Sequence, residues 1–201
     1  MQLLEAMKKR RSVREFNAEV PSKEEIQAIL VAAYLAPALF TTKDAHISVI
    51  TDKDLLRELD AAAVKKFGKM LENMGMKTKT TLYGAPVLIL LSGKLATELP
   101  KECEGAKLEN LHRGIYWAMG SVMQNMQLRA TSLELASCPI NTVVVTLFDE
   151  PILAARAGIP EGYSPLCSLA IGKSDAKCEE RKPSCDHYKV SYILICLCPA
   201  V

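Results

Sequence analysis

The chain has 201 residues, 49% of them hydrophobic and 24% charged, with a formal net charge of +2. These values exclude collagen, a disordered tail and a coiled coil, and the balanced charge argues against a basic nucleic-acid-binding module. The length suits one domain, or one protomer of something larger, and the longest apolar run, Ala85 to Leu91, is too short to cross a bilayer.

In chain order, residues 2–9 read as a short helix. The opening places a brief apolar stretch before its charges, the reverse of a secretory signal, so a cytoplasmic location is expected. Pro21-Ser22-Lys23-Glu24-Glu25 is a helix start, with Ser22 as N-cap and Glu25 positioned to close a capping box. Ile26, Ile29, Leu30 and Ala33 follow at helical spacing, and Pro37 bounds that helix. Residues 46–51 alternate and are β-branched, which predicts a strand. Thr51-Asp52 caps the next helix, carrying Leu55, Leu56 and Leu59. Residues 68–84 are polar and contain glycine, which predicts a loop or lid, and Pro86 to Leu91 predicts a buried strand.

The longest helix is expected from about Glu109 into the 130s, with Leu111, Ile115, Ala118, Val122 and Met126 on one face. Its methionines Met119, Met123 and Met126 read as core. Pro139 ends that region. A short helix over Asp149 to Ala157 is closed by Gly158, residues 164–171 predict a strand, and residues 190–198 suit another. Helices and strands do not alternate evenly, and neither Gly-x-Gly-x-x-Gly nor a phosphate-binding Walker loop occurs. The pattern therefore predicts an α+β fold around a small sheet rather than a doubly wound nucleotide fold. With only 5% aromatic residues, the core must be aliphatic and Met-rich, or shared with a second subunit.

The seven cysteines stand at Cys103, Cys138, Cys167, Cys178, Cys185, Cys196 and Cys198. No Cys-x-x-Cys occurs, and no histidine falls at a zinc-ligand offset from a cysteine pair, so no metal site is expected. Cys196-x-Cys198 is the nearest approach to a chelate, and free thiols are favoured over metal binding there. The thiols read as free and mostly structural in a reducing compartment. Cys178 and Cys185 lie in a polar, basic stretch that suits a regulatory thiol.

The run Lys8-Lys9-Arg10-Arg11-Ser12-Val13-Arg14 has five basic residues in seven. It suits a solvated helix end, a nucleic-acid patch or a phosphate grip. Arginine forks bind phosphate oxygens two at a time and a serine hydroxyl adds a donor, whereas aromatic residues for stacking on nucleic acid are scarce. A second basic cluster, Lys173, Lys177, Arg181 and Lys182, follows the strand ending at Gly172, and the two could converge on one phosphate.

These residues, in order, resemble the nitroreductase family of FMN flavoproteins. The resemblance rests on Arg10-Arg11-Ser12-Val13-Arg14-Glu15-Phe16, the Val20-Pro21 helix start and Ala36-Pro37. It continues through Ala85-Pro86, Ser137-Cys138-Pro139-Ile140-Asn141, Gly158-Ile159-Pro160-Glu161-Gly162-Tyr163 and Arg181-Lys182-Pro183. It spans roughly residues 4–188. It implies a nitroreductase-like α+β fold, with a small, mixed, mostly antiparallel sheet flanked by helices, in an intertwined homodimer with FMN at the interface. Residues 1–188 would form the FMN-binding domain, and residues 189–201 a C-terminal extension adding a strand to the partner.

By the same resemblance, Arg10, Arg11, Ser12, Arg14 and Arg181 would hold the FMN phosphate and ribityl chain. Pro37, Ala38, Leu39, Thr41 and Lys43 would line the cofactor. Ser137, Cys138, Pro139, Ile140 and Asn141 would face the flavin's reactive edge, with Pro139 to Asn141 bringing backbone N–H groups to N5 and O4. The chain departs from the family at Ala38 and Thr41, where Ser and Asn are usual, at Lys43-Asp44-Ala45 for Gln-Pro-Trp, at Glu134 for Gly, and at Glu179 where some relatives carry Lys.

The implied chemistry is hydride transfer from NADH or NADPH to flavin N5 and on to a nitroaromatic, a quinone or a similar small-molecule acceptor, with ping-pong kinetics. Solvent can supply the protons, so no catalytic side chain is named. Two alternatives are an FMN-binding redox sensor or flavin store with little turnover, and a reductive dehalogenase-like flavoenzyme. No nucleic acid or membrane partner is expected.

Overall fold

The N-terminal third is shaped by two helix starts. The protein is described by a computed structural model covering residues 1–37, 45–75, 79–99, 101, 105, 107–182 and 191. Helix α1 spans Leu3–Lys9, and α2 spans Lys23–Tyr34. At α2 the capping box closes in both directions: the Glu25 N–H donates to Ser22 Oγ at 3.1 Å, and the Ser22 N–H donates to Glu25 Oε2 at 2.7 Å. Such reciprocal capping satisfies two donors that a helix start otherwise leaves without partners. Ile29 and Ala33 bury the inner face of α2.

Strand β1 is Ala45–Ile50. Helix α3, Lys53–Asn73, begins at Asp52, whose carboxylate accepts from the Leu55 N–H at 2.7 Å. The sequence predicts a loop from residue 68, but the helix continues to Asn73 because Leu71 is buried on the same face as Leu56, Leu59 and Ala63. The end of the expected lid is not a lid either. Asp60 accepts from Thr80 Oγ1, from the N–H and Oγ1 of Thr81, and from the Leu82 N–H, and Thr81 and Leu82 are buried. A carboxylate holding four donors locks residues 80–82 against α3. Residues 76–78 lie outside the described residues.

Strand β2, Val87–Gly93, is buried throughout, at the interior of a four-stranded antiparallel sheet. Strand β3 is Ala136–Pro139 and β4 is Ser164–Gly172, and the strand order is β1-β2-β4-β3. Helix α4 spans Leu108–Ser132, α5 Asn141–Asp149 and α6 Pro151–Arg156. One sheet face, through Leu88 and Leu90, packs with Leu59, Val143, Leu147 and Leu153 of α3, α5 and α6. The other, through Val87, Ile89 and Leu91, packs with Ile29, Ile115, Met119 and Met126 of α2 and α4. This two-sided covering explains the unbroken apolar run: each side chain from Val87 to Leu91 packs into one helical layer or the other. Each fully buried aliphatic side chain there contributes about 1.5–3 kcal/mol.

The α+β class, the small antiparallel sheet and the core placement of Met119 and Met126 agree with the sequence reading. The reading leaves out β3 and α5 and places the start of α6 two residues early. The helix over 141–149 contains Thr142-Val143-Val144-Val145-Thr146, β-branched residues with weak helix preference. Burial of Val143, Val144 and Leu147 overrides that preference. The strand expected at 190–198, Ser191 apart, lies outside the described residues, as does most of the proposed C-terminal extension.

Candidate functional site

After α1 the chain leaves the helix at Arg10 and runs extended along the outer edge of β3. Ser12 makes a parallel bridge with Ser137, and the Val13 N–H donates to Ser137 O at 3.0 Å. Farther on, the Phe16 N–H donates to Tyr83 O at 3.2 Å and the Asn17 N–H to Lys173 O at 2.9 Å. Residues 10–17 thus form a strip pinned to β3, to the turn locked by Asp60, and to the exit of β4.

A second segment meets this strip. Residues 173–182 leave β4 at Gly172 as an irregular strap, exposed from Asp175 onward. A Cβ on Gly172 would stand 2.6 Å from Pro86 Cδ and 3.1 Å from Phe16 Cδ1, so only glycine lets the strap pass without a shift. At the far end the Arg181 N–H donates to Lys8 O at 3.0 Å, and between the two ends Arg11 Nη2 donates to Glu179 O. The two basic clusters of the sequence are therefore neighbours in space.

Alternate residues of an extended segment point to opposite sides. Arg10 turns toward α4, where its Nη1 donates to Gln127 Oε1 at 3.0 Å. Gln127 is only 5% exposed. Arg11 and Val13 turn to the other side and line a cavity of about 280 Å³ with Lys9, Ser137 and Cys178. Ser12 is half-buried, and Arg14 is exposed.

Burial and the neighbouring charges of Arg181 and Arg11 together hold the Arg10 guanidinium below its ordinary pKa. Among the described residues, no carboxylate pairs with Arg10, Arg11, Arg14 or Arg181. Gln127, the side chain that meets Arg10, is neutral. A convergence of guanidiniums without a counter-charge is electrostatically incomplete and favours an anion. Lys173, from the second cluster, is instead paired with Glu19.

Around residues 137–141, Ser137 and Cys138 are buried in β3, while Pro139 and Asn141 are exposed. Burial pushes the Cys138 thiol up, against the opposing pull of Arg14 and Arg10. The expected row of backbone donors is shorter than the sequence suggests. Proline has no N–H, and the Ile140 N–H already donates to Ser168 O at 2.9 Å. Ser168 Oγ in turn donates to Ile140 O at 2.6 Å. Only the Asn141 N–H, at the first turn of α5, remains of the three.

Pro37 is exposed at the rim of a cavity of about 350 Å³, lined also by Tyr34, His46, Met119 and Val122. Ala38, Leu39, Thr41 and Lys43 lie outside the described residues. Gln127 is the site residue that sequence reasoning misses. Its signal is faint: one amide on the buried face of α4, between Met126 and Ala130 in a helix otherwise read as core. The described residues contain no cluster of potential metal ligands, and no helix long and apolar enough to cross a membrane.

Comparison with known proteins bears on the family and the fold. The profile of the Nitroreductase family matches residues 7–173. An Archaeoglobus fulgidus protein described as an NADH dehydrogenase/NAD(P)H nitroreductase is 38% identical over 64 residues, which are 32% of this chain. That match spans 36% of the relative's own length. A nitroreductase with bound FMN from Desulfitobacterium hafniense superposes with a TM-score of 0.74 at 25% identity, covering 95% of this chain and 97% of that one. Another with bound FMN, from Bacteroides fragilis, gives 0.72 at 26% identity, covering 96% and 100%. With its strip, its sheet and 167 consecutive residues under one family profile, the chain belongs to the Nitroreductase family.

Proposed function

We propose that this chain is an FMN-dependent oxidoreductase that draws hydride from NADH or NADPH and delivers it to a small-molecule acceptor such as a nitroaromatic or a quinone, by ping-pong turnover. The observation that carries the reading is the uncompensated meeting of Arg10 with Arg181 and Arg11, on the strip that also carries Ser12 and Arg14. The chemistry of that donor set fits a phosphate monoester: several guanidinium donors, one hydroxyl and no competing carboxylate among the described residues. The two family members with bound FMN support the same assignment.

In this reading Arg10, Ser12, Arg14 and Arg181 hold the phosphate, and Gln127 fixes the direction of Arg10 while leaving its charge unspent. The flavin supplies the centre that accepts and releases hydride. The Asn141 N–H offers a hydrogen-bond donor at the positive end of α5, suited to negative charge on a reduced ring. Pro37, Ala38, Leu39, Thr41 and Lys43 carry over as cofactor-lining from the resemblance.

The reading extends to a homodimer. Leu3, Leu4 and Met7 of α1, Tyr34 and Leu35 at the end of α2, and Tyr116 and Trp117 of α4 are exposed. Both α1 and α2 pack on α4, so these side chains belong to one group of neighbouring helices. An apolar surface of this kind is suited to burial against a second copy of the chain.

Purified protein titrated with FMN and then given NADH or NADPH without oxygen tests the function. The expected result is a yellow protein bleached by at least one nicotinamide. Failure to take up FMN would overturn the flavoenzyme reading. FMN uptake without bleaching by either nucleotide would replace it with a sensing or storage role.

A further inference from the structure

Arg11 shares the basic run with Arg10, Ser12 and Arg14, but its guanidinium is already engaged. Nη1 donates to Lys8 O at 3.1 Å and to Arg10 O at 3.3 Å, and Nη2 donates to Glu179 O. All three acceptors are backbone carbonyls. Two belong to the end of α1 and its exit, and the third belongs to the strap. The planar fork of arginine suits this task, because it can hold two chain segments in one fixed geometry.

The strap has few other attachments. Its start is held by the Asn17 N–H to Lys173 O and by the Lys173–Glu19 ion pair. Its far end is held by the Arg181 N–H to Lys8 O. Between them, Ala176 bonds only within the strap, to Ser174 Oγ at 3.2 Å. Residues 175–182 are exposed, so apolar burial does little to hold them down. The Arg11–Glu179 bond lies two residues before Arg181, the strap's contribution to the phosphate grip.

We infer that Arg11 is a positioning residue, which clasps the strap to the exit of α1 so that Arg181 stands beside Arg10, and that Arg11 does not itself grip the phosphate. This inference rests on the phosphate assignment proposed above. It divides the basic run by alternation: Arg10, Ser12 and Arg14 serve the ligand side, and Arg11 serves the fold on the opposite side.

The test compares wild type, R11Q, R11K, R181Q and R11Q/R181Q. FMN and riboflavin, which lacks the phosphate, are each titrated against protein stripped of flavin. R11Q and R181Q are each expected to weaken FMN about tenfold. The double variant should be little weaker than either single one, because both remove the same contact. Riboflavin affinity should stay unchanged, and R11K should not restore FMN binding, since one ammonium cannot span carbonyls on two segments. Rescue by R11K, or losses that multiply to about a hundredfold in the double variant, would mean that Arg11 touches the phosphate and would overturn the inference. Equal weakening of riboflavin would reduce Arg11 to a general structural role and overturn it too.

Hydrogen exchange of residues 173–182 in flavin-free protein gives an independent reading. R11Q, or R11K if R11Q does not fold, should raise exchange there; unchanged protection would overturn the clasp whatever the flavin results. If wild type binds FMN no better than riboflavin, the phosphate assignment itself fails, while the exchange result still decides whether Arg11 clasps the strap.

Discussion

Arg10 donates to Gln127 across 117 residues of sequence, a 3.0 Å bond between the basic strip and the buried face of α4. A glutamate at that position would have paired with the guanidinium and cancelled its charge. The amide aims the side chain and leaves its charge available to a ligand. Q127E is therefore expected to bind FMN at least tenfold more weakly, about 1.4 kcal/mol, without losing stability. Q127L is expected to lose about 1–3 kcal/mol of stability by stranding a half-buried donor. Flavin titration and urea unfolding of both variants check this, and wild-type FMN affinity in Q127E would sink it.

The end of α4 holds a residue of the less favourable type. Glu134 adopts φ 62°, the left-handed conformation that glycine takes at little cost. The helix nevertheless closes as it would with glycine: the Glu134 N–H donates to Thr131 O at 3.1 Å and the Leu135 N–H to Ala130 O at 2.9 Å. E134G is expected to raise stability by about 1 kcal/mol, read as a higher urea midpoint at unchanged slope. A lower midpoint would show that the glutamate side chain contributes something the backbone geometry does not reveal.

Cys167 pairs with Leu91 across β4 and β2, and burial pushes its thiol up to about 12. An unfolded thiol titrates near 8.5. Above that pH the unfolded chain releases a proton that the native state retains, so stability falls as pH rises toward the folded value and is intact below the unfolded one. Urea midpoints at pH 7.5, 9.5 and 10.5 should fall more steeply for wild type than for C167A. Parallel profiles would mean that this thiol is not withheld from water as the structure implies.

Trp117 is 71% exposed on α4, near Tyr116 and on the helix that supports α1. A charge placed there should oppose burial against a second copy. On the proposed homodimer, wild type is expected to sediment as a dimer and W117E as a monomer that loses FMN. A dimer that persists in W117E would move the interface elsewhere.

The legible parts of this fold were those with local chemical signatures. Ser22 with Glu25, Asp52 before Leu55, and the unbroken run of β2 each announce themselves within a few residues. What stayed hidden depends on distant partners. Strand β3 is four residues long and exists because β4 pairs with it. Helix α5 forms from β-branched residues because its inner face is buried, and the end of the supposed lid, residues 80–82, is fastened by Asp60, twenty residues upstream of Thr80. The basic run is legible in the sequence, but the side each of its residues faces is not, because that depends on residues 10–14 running extended beside Ser137.

Gly172 gives the architecture a tolerance that can be stated mechanically. The strap turns away from the sheet through the narrow gap between Pro86 and Phe16. Phe16 belongs to the same strip that carries Arg10. One methyl group at residue 172 would act as a shim, pressing on the Pro86 ring and on Phe16 so that one of them has to shift. The seating of the strip that carries the basic run thus depends on a residue with no charge and no side chain of its own.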